Sequence, residues 1–121
     1  MPIDRHCAEH YVWGGACDGW RLLDMPDLSI IEERVPAGAG EVRHRHGRAR
    51  QFFYVLSGEA TLEFDDHAVR VGAGQGVHVA PGVRHRFANR SAREVVFLVV
   101  SAPSTRGDRE DTPADTAEHG A

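Results

Sequence analysis

The sequence predicts an all-β sandwich or barrel. Short runs rich in β-branched and aromatic residues recur along the chain, turns bearing glycine and proline separate them, and no stretch shows a convincing 3.6-residue period. Residues 10–27, HYVWGGACDGWRLLDMPD, hold both tryptophans between glycines and are expected to lie as irregular strand along the barrel or at a partner's edge. LSIIEERV at 28–35 is the first well-marked strand, closed by PAGAG at 36–40. Strands over 42–46 and 51–57 follow, joined by the loop GRAR. EATLEF at 59–64 alternates strictly, with Ala60, Leu62 and Phe64 on one face and Glu59, Thr61 and Glu63 on the other. That is the pattern of a half-buried antiparallel strand. DD at 65–66 turns it into the short strand HAVRV, and GAGQG at 72–76 and PG at 81–82 supply further turns. EVVFLVV at 94–100 is apolar on both faces and is expected to be covered on both sides.

The organisation read from this pass is an N-terminal segment, 1–27, packing on the barrel or on a dimer partner, then a β-barrel over 28–102 and a tail over 103–121. The tail has no large apolar residue and sets five acidic residues against two arginines, a local charge of −3. Burial cannot offset the entropy of ordering such a segment, so it is expected to be disordered.

At 121 residues the chain makes one domain, burying about 65% of its unfolded surface on folding. A net charge of −4 lacks the basic excess of a nucleic-acid binder. The longest apolar run, VVFLVV at 95–100, is far short of the roughly 20 residues that span a bilayer. MPIDRHCAEH at the N-terminus lacks the apolar stretch of a secretory signal, so a cytoplasmic location is expected. There Cys7 and Cys17 are expected to be free thiols, and they have no metal-site spacing of their own.

The candidate chemistry centres on EVRHRHGRARQFF at 41–53. His44 and His46, two residues apart on a strand, share a face, with Cα atoms roughly 6–7 Å apart. Such a pair can grip one metal ion or simply belong to an arginine-rich surface. A third histidine, His85, follows the Pro81-Gly82 turn and shares a strand face with Phe87. Arg43, Arg45, Arg84 and Arg86 flank these histidines, and alternation turns them to the opposite face.

These residues resemble the two motifs of the cupin superfamily. Gly38, His44, His46, Gln51 and Gly58 match the first motif, and Gly74, Gly82, His85 and Asn89 the second. Ala80 stands at the second motif's proline position, with Pro81 beside it, and Gln51 stands where most cupins place a metal-ligating glutamate. The resemblance covers residues 36–100. It implies a jelly-roll β-barrel (double-stranded β-helix), usually dimeric, with one divalent transition metal ion in the barrel mouth held by His44, His46, Gln51 and His85. Three imidazoles and an amide leave the ion's charge uncompensated, which favours an anionic ligand and acidifies bound water. Nitrogen-rich ligation suits zinc, nickel, iron, cobalt or copper better than magnesium or calcium, and manganese completes the candidate metals.

Such a set is similar to that of small cupins acting on unsaturated sugar acids, with the metal as Lewis acid. The expectation is therefore an isomerase, cyclase or lyase acting on a small oxygenated anion. Iron-dependent cupin dioxygenases and non-catalytic modules that hold a metal or small ligand are the alternatives. Arg48 and Arg50, in the loop near the barrel mouth, and Phe53 are the candidate substrate-binding residues. Parity places neither His78 nor Tyr54 in the pocket, and no general acid or base is named. The apolar surface of EVVFLVV and of the Trp13–Trp20 segment leads to the expectation of a homodimer.

Overall fold

A computed structural model describes residues 1–113, and eleven strands succeed one another among them. They are β1 (Glu9–Trp13), β2 (Cys17–Asp24), β3 (Ser29–Val35), β4 (His44–His46), β5 (Arg50–Ser57), β6 (Glu59–Glu63), β7 (Ala68–Gly72), β8 (Gly76–Val79), β9 (Arg86–Ala88), β10 (Val95–Ala102) and β11 (Arg109–Asp111). One antiparallel sheet runs β1-β2-β3-β10-β5-β8. Facing it are the ladders β7-β6-β9 and β11-β4. The bridges His44↔His85 and Gly40↔Ala88 tie those two ladders together, giving the two layers of a jelly roll.

Alternation builds the core. Phe53 and Val55 on β5 point inward, while Phe52, Tyr54 and Leu56 point out. Phe97 on β10 stacks on Phe87 of β9 across the two layers, with ring centroids 3.9 Å apart, and Leu62, Val35 and Val95 close around them. Each such side chain taken fully out of water contributes about 1.5–3 kcal/mol. Gly58, between β5 and β6, turns the chain with φ of 84°, and a Cβ there would lie 2.5 Å from the carbonyl oxygen of Glu94. Only glycine meets both conditions.

Three expectations need correction. Residues 10–27 are regular: β1 and β2 form an antiparallel hairpin, and β2 continues the sheet onto β3. Thr61 and Glu63 on β6 are buried, since Glu63 is covered by ion pairs with Arg86 and Arg90. Residues 103–113 are also ordered. Arg109–Asp111 pairs with His44–His46, and the Asp108 carboxylate accepts hydrogen bonds from the Arg48 and Ala49 amides (3.0 and 2.9 Å). Backbone pairing and charge-assisted hydrogen bonds hold this stretch where apolar burial does not. The rest of the expected tail, 114–121, lies outside the described residues.

Candidate metal centre and cavity

His44 and His46 reach the interior because β4 alternates, with Arg45 turned outward between them to Glu110. His85 arrives opposite His44, through backbone hydrogen bonds in both directions (3.0 and 2.9 Å). Outside, Arg43 and Arg84 both bind Asp65, clamping the two histidine-bearing segments together. All three imidazoles are buried, and one nitrogen from each lies within 4.8 Å of the others.

The tautomers follow from the partners. Nδ1 of His44 faces the Val42 carbonyl (2.7 Å), that of His85 the Val83 carbonyl (2.9 Å), and that of His46 the Asp108 carbonyl (3.3 Å). A carbonyl only accepts, so each Nδ1 carries the proton and each Nε2 is left as a lone pair. Burial holds all three rings below the ordinary imidazole range, His44 at about 3 and His85 at about 4, so they are neutral near pH 7. Gln51 Nε2 donates to Ser101 Oγ (3.1 Å), which turns its Oε1 to within 3.2 Å of His85 Nε2. Two acceptors thus face each other with no proton between them. That electrostatic arrangement suits a cation, and this donor set can hold one.

A cavity of about 300 Å³ opens beside the cluster. His44, His46, Gln51 and Phe53 line it, whereas Arg48 and Arg50 do not. Arg48 lines a separate hollow with Asp24 and Pro103, and Arg50 turns outward to His78 (3.1 Å). Their place is taken by Arg21 of β2, Arg106, and Arg109 of β11. Each has an acidic neighbour at the rim: Glu9, Asp24 and Asp111 respectively. Arg21 Nε and Trp13 Nε1 are buried without a hydrogen-bond acceptor. The sequence reading left all three arginines out because it placed their segments in irregular strand or in the tail.

Two carboxyl groups line the cavity as well. Glu33 accepts a hydrogen bond from the Tyr11 hydroxyl (3.2 Å), and burial, with Glu41 nearby, pushes its carboxyl up to about 8. Glu41 accepts from the Phe87 amide (3.0 Å) and comes within 3.9 Å of His44 Nε2, and burial raises it to about 7. Parity held a signal for Glu33, which shares its strand face with the buried Ser29 and Val35. Asn89 of the second motif is an anchor: its amide donates to the carbonyls of Val35 and Arg93 (3.0 and 2.7 Å). Cys7 is exposed and Cys17 buried, and they are unpaired.

No helix among the described residues is long and apolar enough to cross a membrane. Residues 31–101 match the family described as cupin domain. A β-alanine degradation protein, BauB, of Pseudomonas aeruginosa is 38% identical over 79 residues, 63% of this chain and 82% of the relative. Among solved structures, the polyketide cyclase RemF of Streptomyces resistomycificus superposes with a TM-score of 0.79 at 20% identity, over 93% of this chain and 84% of its own. A sugar phosphate isomerase from a cupin superfamily, of Silicibacter pomeroyi, superposes with a TM-score of 0.77 at 20% identity, over 96% of this chain and 94% of its own. Motifs, jelly-roll layers and family match agree: the chain belongs to the cupin family.

Proposed function

We propose that this cupin is a metal-dependent enzyme acting on a small oxygenated anion, in a reaction of the isomerase, cyclase or lyase type. His44, His46 and His85, with Gln51, would hold one divalent transition ion: zinc, nickel, iron, cobalt, manganese or copper. The observation that supports this most directly is the convergence of one nitrogen from each of three buried imidazoles, with Gln51 Oε1 beside His85 Nε2, at a cavity. When bound, the ion would supply Lewis acidity, polarising an oxygen of the substrate.

The chain's own residues favour an anion. Trp13 Nε1 and Arg21 Nε are buried without a hydrogen-bond acceptor, and Arg106 and Arg109, each ion-paired with an aspartate, bring guanidinium groups to the cavity. A buried donor left unpaired costs about 1–3 kcal/mol, which a ligand carboxylate or hydroxyl would remove. Phe53, Ile31 and Val99 give the cavity an apolar wall that limits water. That a cyclase and an isomerase are built on the same fold supports this class over a binding module, although fold alone assigns no reaction.

The test is turnover of a panel of small hydroxy and oxo acids by wild type and Gln51→Glu, loaded with zinc or iron, in air and under nitrogen. Turnover by the zinc form under nitrogen is expected. Gln51→Glu should keep its metal and lose activity, since the added negative charge raises the pKa of bound water and weakens the hold on an anion. Strict dependence on iron and oxygen would replace the Lewis-acid reading with a dioxygenase. Ligand binding without turnover in any form would indicate a binding module.

A further inference from the structure

Tyr11, Gly19 and Glu33 form one row across three strands: Tyr11 pairs with Gly19, and Gly19 with Glu33. The phenol ring occupies the space that a side chain at position 19 would need, since a Cβ there would lie 2.3 Å from Tyr11 Cζ. The missing side chain lets the tyrosine cross β2 and donate to the Glu33 carboxylate at 3.2 Å. Arg21 lies over the same ring, 4.5 Å from its centroid. Tyr11, Arg21 and Glu33 all line the cavity that His44, His46 and Gln51 line. A carboxyl, a phenol and a guanidinium thus share the cavity wall on the N-terminal strands.

We propose that Glu33, positioned by Tyr11 across Gly19, is the catalytic acid–base of this site, moving a proton to and from the ligand bound beside the histidine cluster. The inference rests on the anion-directed, metal-dependent reading above and names the group that does its proton chemistry. With a carbonyl ligand, the Glu33 carboxylate takes a proton from the carbon next to the carbonyl. The C–H electron pair becomes the double bond of the enolate, and the resulting carboxylic acid returns a proton to carbon. Exchange of the carboxyl proton with solvent in between leaves an isotopic record on the ligand.

The surroundings suit this role. The titratable and charged groups around Glu33 are Tyr11 from β1, Cys17 and Arg21 from β2, Glu41 from the segment before β4, and Arg109 from β11. Burial and Glu41 raise the carboxyl, while the Tyr11 hydrogen bond, Arg109 and Arg21 lower it, leaving it at about 8. A base that gains and loses its proton near neutral pH is well matched to both halves of the exchange.

The probe is pyruvate, a small oxo acid whose methyl protons lie next to a carbonyl. The zinc-loaded protein is incubated with it in D₂O, binding is followed by calorimetry, and loss of the methyl proton signal by NMR. Wild type is expected to bind pyruvate and to exchange it above the buffer rate. Glu33→Gln should bind zinc and pyruvate but exchange at least about 100-fold more slowly, the usual contribution of a general base. Tyr11→Phe should still exchange, with the midpoint of its pH profile moved up, because the lost hydrogen bond favoured the charged carboxylate. An independent reading is the ¹³C carboxyl titration of glutamate-labelled protein: of the two resonances titrating near neutrality, that of Glu33, the higher of the pair, should vanish in Glu33→Gln and move up in Tyr11→Phe, while that of Glu41 remains. Pyruvate bound but not exchanged by wild type, or exchange unchanged in Glu33→Gln, overturns the role of Glu33 alone. No binding of pyruvate by the zinc form overturns the anion site and this inference with it.

Discussion

Ser101 shows how much of the site depends on one hydroxyl. It is buried on β10, and its Oγ receives the Gln51 amide, which in turn aims Oε1 at His85. Ser101→Ala leaves the histidines untouched and frees the amide to rotate. Lost outer partners of this kind weaken metal binding about 10–100-fold, so zinc affinity measured against a competing chelator should fall by that order while stoichiometry stays the same. Unchanged affinity would mean that Gln51 does not contribute through its oxygen. At this scale the histidine cluster and Gln51 were legible in the sequence, since His-x-His, Gln51 and His85 sit at motif spacing and alternation orients them. Glu33 was only half legible. Its parity pointed inward, but its meaning depends on Tyr11 crossing Gly19, a pairing between strands that no local pattern encodes.

Strand β11 does for the site what composition gave no reason to expect. It pairs with β4 and brings Arg109 to the cavity, and Asp108 just before it offers its carbonyl to His46. The Asp108 side chain fixes the turn by accepting from the amides of Arg48 and Ala49. Asp108→Ala removes those charge-assisted hydrogen bonds and should cost about 2 kcal/mol. Hydrogen exchange would show the effect as faster exchange confined to residues 103–113 and β4, and protection there equal to wild type would refute it. The middle strands were legible as elements because period-2 alternation and glycine turns mark them. The hairpin of β1 and β2 was not, because its glycines and tryptophans read as irregular although Gly19 is there to seat a ring. β11 was invisible for a related reason: its stability is in a backbone ladder and ion pairs, to which a hydrophobic pattern is blind.

For the molecule as a whole, the buried titratable groups set how stability depends on pH when no metal is bound. His44 and His85 have folded values depressed to about 3 and 4, against an ordinary 6.5, and His46 is depressed as well. As pH falls below 6.5 the unfolded chain takes up protons that the folded chain refuses, so these groups lower stability on acidification. Glu33 and Glu41 have folded values raised to about 8 and 7, against 4.5. They lower stability as pH rises from 4.5 toward 8, because the unfolded chain ionises first. Between 4.5 and 6.5 the two slopes oppose each other. With three histidines against two glutamates the histidine slope prevails over most of that range, so melting temperature should peak at about pH 6–6.5 and decline on both sides, with exposed carboxylates such as Asp65 steepening the acid limb. A melting temperature that rises steadily from pH 6.5 to 8 would show that the two glutamates are not held in their neutral form.

Association belongs to the same scale. The outer face of the six-stranded sheet carries Phe52, Tyr54 and Leu56 on β5 beside Leu98 and Val100 on β10, and the first three are 36–44% exposed. Trp13, by contrast, faces the cavity, and Trp20 lies under Arg5, 4.1 Å from its guanidinium carbon, so neither forms a free apolar edge. The homodimer expected from the sequence is therefore sought on the β5–β10 face. Light scattering at micromolar concentration should give twice 13.3 kDa for wild type and 13.3 kDa for Leu56→Glu. A monomeric wild type would remove the expectation.

The central claim is that three imidazoles with their protons parked on Nδ1 hold a divalent ion. It is tested most directly by calorimetric titration of the chelator-treated protein with zinc, followed by thermal melts of the two forms. His85 lies about 40 residues along the chain from the β4 pair His44 and His46, so an ion joining them should favour the folded state by about 4 kcal/mol at free zinc a thousand times its dissociation constant. The account expects one zinc per chain, a melting temperature higher by about 10 °C or more with zinc than without, and loss of both effects in His85→Ala. Zinc bound with the same stoichiometry by His85→Ala, or a wild type that binds none, would contradict it.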